Sequence, residues 1–135
     1  MDAAALYEIT VAARARIAVE REERERAEAL VAREHAVAFA DGMVKRCAEL
    51  ALRYGTATWQ SASFMHSDDS RRTEWREAAP DVMTSPPSSH AIVIWRPIVE
   101  GALALLKERR FWVQLMPERT DQRVYVMLRW EPAEI

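Results

Sequence analysis

His66, Asp68 and Asp69 lie close together in the chain, and a histidine beside carboxylates could form half of a metal site or an acid/base pair. Such chemistry needs converging groups, and no second ligand cluster is recognisable. Neither His66-Ser67-Asp68 nor His90-Ala91-Ile92 is the His-x-Ser/Thr motif that a two-histidine phosphoesterase carries in duplicate. His66 is therefore read as a solvated loop histidine. His35 follows Glu34 but belongs to no HExxH pair, and a helix-surface role suits it equally. Cys47 falls on an apolar helical stripe, where a cysteine acts as a small core residue; a nucleophile needs an exposed, electropositive setting. Glycine occurs only at positions 42, 55 and 101, which leaves no Gly-rich loop for phosphates and no dinucleotide fingerprint.

Two further groups carry more information. Glu20 to Arg26 are charged at every position, and Glu20/Arg24 and Glu22/Arg26 have the favourable i,i+4 order, each worth about 0.2–0.5 kcal/mol. Their mixed signs predict a salt-bridged solvent face rather than paired catalytic acids. Near the C-terminal end, alternation puts Phe111, Val113 and Leu115 on one sheet face and Trp112 and Met116 on the other. Tyr125, Met127 and Arg129 likewise lie opposite Val124, Val126 and Leu128. A face bearing Trp112, Tyr125 and Arg129 could stack bases if open. The expectation is that the long helix, over residues 37–54, covers it.

The elements that position these residues begin with a helix. From Asp2 to Tyr54 there is no proline and one glycine, and strong helix formers dominate. Asp2 is placed to cap it and Gly55 to end it. Phe39, Met43, Cys47, Leu50 and Tyr54 form an apolar stripe that keeps its phase across Asp41-Gly42, so one continuous helix is predicted rather than a hairpin. A thinner stripe of Leu6, Ile9, Ala13 and Ile17 precedes the charged run. At 1.5 Å per residue the helix is about 80 Å long, more than a small body can cover, so part of it must extend beyond.

Residues 55–90 read as an irregular loop or arm. A short helix is predicted from Asp69 or Ser70 to Ala79, with Glu74 placed for a capping box, and the Ser/Pro-rich run Thr84–Ser89 follows. His90–Arg96 reads as a buried strand, residues 97–109 as a helix opened by Pro97, and Phe111–Met116 and Val124–Trp130 as a hairpin joined by a polar turn, Pro117–Arg123. The expected fold is a single α+β domain over residues 1–135: a long N-terminal amphipathic helix packed on a small three-stranded sheet, with a β-α-β-β half at 91–135. The two helices are expected on opposite faces of that sheet.

The totals narrow the function. The chain has 135 residues and a net charge of -2, so no global field recruits nucleic acid or an anionic membrane. Lysine occurs only at 45 and 107 and asparagine is absent, a bias that makes arginine-rich stretches weaker evidence of phosphate binding. With one cysteine, no signal-peptide pattern at the start and no span-length apolar run, a cytoplasmic protein is expected, in host cytoplasm or virion if viral. No cofactor, metal, membrane or small-molecule ligand is expected. The leading expectation is a non-enzymatic assembly or interaction protein that oligomerises or docks through Leu6, Ile9, Ala13 and Ile17. Phage or virus structural subunits and small protein inhibitors are settings of that kind. The alternatives are single-stranded nucleic-acid binding through the Trp112/Tyr125/Arg129 face, and a hydrolase-type enzyme around His66, Asp68 and Asp69.

Overall fold

Asp2 starts the first helix as its residue type predicts: its carboxylate accepts the Ala5 N–H at 2.9 Å. The structure, a computed structural model, describes residues 1–69, 82–83, 92–118 and 120–132. Helix α1 runs Ala3–Tyr54 without a break at Gly42. Gly55 ends it in the left-handed region (φ 68°), with its N–H donating to the Ala51 carbonyl. The expected short helix over 69–79, the Thr84–Ser89 run and His90 lie outside the described residues, Asp69 excepted. The chain clusters into two units, Met1–Val31 and Ala32–Ile135.

The first unit is the N-terminal part of α1 alone. No residue of it is buried, and its large apolar side chains are exposed.

The second unit holds the core. Strands β1 (Thr58–Gln60), β2 (Phe64–Ser67), β3 (Val93–Trp95), β4 (Trp112–Glu118) and β5 (Thr120–Arg129) form one sheet, and helix α2 (Arg96–Glu108) links β3 to β4. Among the described residues five strands stand where three are expected. The extra two come from the stretch read as irregular, where β1 and β2 pair antiparallel with β5. They share the β5 edge opposite β4. The interruption between them is satisfied by a side chain: Ser61 N–H donates to the Val126 carbonyl at 2.9 Å, and Ser61 Oγ accepts the Val126 N–H at 2.8 Å. That hydroxyl stands where a strand would offer a backbone carbonyl, so the buried ladder stays paired through the irregularity. β3 lies parallel to β2.

The hairpin turn is tighter than predicted. β4 extends through Pro117 and β5 begins at Thr120, with a register shift between Pro117 and Glu118. Pro117 is tolerated because β4 is an edge strand, paired only with β5 among the described residues.

Both helical segments of this unit cover the same sheet face, contrary to expectation. Trp59, Phe64, Ile94, Val124, Val126 and Leu128 are buried on it. Phe39 of α1 meets Phe64 edge-on, with ring centroids 6.2 Å apart, and Ile98, Val99, Ala102 and Leu106 of α2 are buried beside it. Small residues make this possible. A Cβ on Gly101 would lie 2.9 Å from that of Ala36, so the two helices touch where neither has bulk. Gly42 likewise leaves space that the Met83 thioether fills, which accounts for a glycine inside a long helix despite a propensity cost of about 1 kcal/mol.

α2 ends in a Schellman motif: Arg110 N–H donates to Lys107 O at 3.0 Å and Phe111 N–H to Leu106 O at 3.1 Å. The left-handed position is Arg110 (φ 68°), a residue with a Cβ where glycine is usual.

Candidate functional site

Among the described residues, the first unit presents the largest set of exposed apolar side chains. Leu6 is 57%, Ile9 53% and Ile17 47% exposed, and Ala13 is half-buried. Tyr7, Val11 and Val19 are exposed as well, beyond the four residues that the sequence stripe predicts. From Ala3 to Val19 the only charges are Glu8, Arg14 and Arg16, so this segment is apolar on more than one side. This scarcity of charge is the sequence signal for a surface broader than the four-residue stripe. A helix apolar round most of its circumference is ordinarily a buried helix.

The charged run does not pair as predicted. Arg16 Nε lies 3.8 Å from Glu20, whereas among the described residues Glu20 does not pair with Arg24, nor Glu22 with Arg26. Contacts this exposed contribute little, and the side chains settle toward solvent.

The second surface is the sheet face that, among the described residues, neither α1 nor α2 covers. Because α1 packs beside α2, Trp112 remains 45% exposed, and the Arg129 guanidinium lies 5.0 Å from the centre of its ring. Trp112 and Arg129 are direct cross-strand partners, as are Met116 and Tyr125. Alternation thus places Trp112, Tyr125 and Arg129 on one face as expected. Tyr125 is half-buried, and its four-residue separation from Arg129 is about 13 Å along the strand. The cation–π contact occupies a ring face that a base would use.

The third is a cleft of about 620 Å³ lined by Met65, His66, Ser67, Asp68, Asp69, Val93 and Arg96. The structure does bring the three predicted side chains to one place. Asp68, however, is held by Arg96 at 2.7 Å, which suits a salt bridge tying β2 to the start of α2 better than a proton acceptor. Ser67 Oγ accepts the Asp69 N–H at 3.1 Å in a local turn. Among the described residues no group of three His, Cys, Asp or Glu side chains is close enough to hold a metal ion. Cys47 is buried in the core, and burial pushes its thiol up to about 12, the opposite of the lowered pKa that activates a nucleophile.

No helix among the described residues is long and apolar enough to cross a membrane. No family model matches the chain, and no curated protein or solved structure is significantly similar to it.

Proposed function

We propose that this chain is a non-enzymatic assembly protein whose N-terminal helical segment is a contact surface for another protein chain, with a second copy of itself as the first candidate. The observation that carries this reading is the exposure of Leu6, Ile9 and Ile17 on a segment with few charges. Apolar surface gathered in one place is costly in water, and each such side chain gains when covered. The body carries an apolar hollow of about 180 Å³ lined by Val44, Cys47, Ala48, Ala51, Phe111 and Trp130. Its cleft is lined by a salt bridge, and the Trp112 ring is already engaged by Arg129. Light scattering tests the reading: the wild-type chain is expected above monomer mass, and Leu6→Asp with Ile17→Asp is expected to return it to monomer. A wild-type monomer at every concentration removes self-association.

The open sheet face supports a second reading, single-stranded nucleic-acid binding through Trp112, Tyr125 and Arg129. Titration of labelled oligonucleotides at low salt tests it, with Trp112→Ala expected to abolish binding. A flat titration of the wild type ends it.

A further inference from the structure

We propose that the helical segment pairs with a second copy of itself antiparallel, about a two-fold axis at Glu22; this rests on the assembly reading above. The basis is a run of positions on one side of α1: Ala13, Ile17, Glu20, Arg24, Ala27 and Val31, spaced 4, 3, 4, 3 and 4 residues apart. That is the seven-residue repeat of a two-helix seam. All but half-buried Ala13 are exposed, so no part of their own unit covers them.

The residue types at these positions are self-complementary in one arrangement. With Glu22 on the axis, Glu20 meets Arg24 of the other copy twice over, Ile17 meets Ala27, and Ala13 meets Val31. Every apolar layer then sets a large side chain against a small one, and both charges of the central layers are neutralised. A parallel in-register pair does the reverse. It sets Glu20 on Glu20 and Arg24 on Arg24, and leaves Ala13 and Ala27 facing their own copies with space between them. Sliding the antiparallel pair by one heptad puts Ile17 against Glu20, or Glu20 against Val31. Polar residues at seam positions are a known means of fixing register, because a mispaired charge in the seam costs more than the paired one contributes.

The flanks agree in part. Arg14 lies across from Glu28 of the other copy, and the aliphatic stem of Arg16 can cover Leu30, otherwise left exposed. On the axis itself Arg21 and Glu23 each meet their own copies. Both are long, exposed side chains at the rim, where salt screens the repulsion.

Cross-linking of two single-cysteine variants tests the arrangement. Cys47 is buried with its thiol held neutral, so it does not interfere under native conditions. Ile17→Cys and Ala27→Cys chains, mixed and oxidised, are expected to give a covalent dimer joining position 17 to position 27, several-fold more than either variant alone. A charge cycle gives an independent measure: Glu20→Arg alone and Arg24→Glu alone are each expected to raise the dimer Kd at least tenfold, and the double exchange to restore it to within a few-fold. A dimer that cross-links 17 to 17 overturns the antiparallel register while leaving self-assembly intact. A wild-type chain that stays monomeric overturns both.

Discussion

Ile17→Asp is the substitution on which the assembly reading depends most directly. Ile17 is 47% exposed, so roughly half of the 1.5–3 kcal/mol available from burying such a side chain, about 1 kcal/mol, is still to be gained on contact. Aspartate forfeits that and adds the cost of drying a carboxylate in an apolar layer, about 2 kcal/mol or more. A two-fold pair meets the change twice. The total is about 6 kcal/mol, and at 1.4 kcal/mol per factor of ten the dimer Kd should rise about ten-thousandfold. Helix propensity is nearly the same for the two residues, so α1 itself should persist. Sedimentation velocity over a concentration series reads the Kd, and circular dichroism at the same concentrations checks that helix content is unchanged. A variant that sediments as the wild-type oligomer, with its helix intact, would refute the claim that this side chain lies in the contact.

Other predictions concern the body. Ser61→Ala should lower unfolding stability by about 1–3 kcal/mol with an unchanged urea m-value, because it orphans the buried Val126 N–H; a change under 0.5 kcal/mol would mean that the hydroxyl does not complete the ladder. Arg110→Gly should raise stability by about 1 kcal/mol by removing a Cβ from a left-handed position, measured by the same titration. Cys47 should resist alkylation in the native protein at pH 8 and react once unfolded. Burial holds the folded thiol up at about 12, above its ordinary value of 9.0, so the unfolded chain loses its proton first and stability should fall as pH rises through that window. A flat pH–stability profile there would contradict the burial of the thiol.

The long helix was legible because its evidence is redundant: no internal proline, a cap at Asp2, a stop at Gly55 and a stripe in phase across Gly42. The α2, β4 and β5 elements were legible for similar reasons, and alternation assigned Trp112, Tyr125 and Arg129 to one face. β1 and β2 were not. At three and four residues they are too short to show a period, and their pairing is dictated by β5, some 60 residues further on. The choice of sheet face was hidden for another reason. It turns on contact between Ala36 and Gly101, residues with little hydrophobic signal, whose importance is the bulk they lack. In the candidate surface, the exposed apolar stripe was visible, but the ion pairs of the charged run were not. Spacing permits Glu20 to reach Arg24, yet for solvated side chains permission has almost no energy behind it.

The position of β5 has a kinetic consequence. It is the strand that β1, β2 and β4 all pair with, yet it follows each of them in the chain. During synthesis β1 and β4 emerge with no described strand to join until residues 120–129 have been made, so the sheet closes late, over long loops. α1 has no such dependence, since its hydrogen bonds are local and helices form within microseconds. A nascent chain would therefore display its helical segment before it possesses a folded body. If copies meet through that segment, neighbouring ribosomes on one message could supply the partner, and association could precede folding.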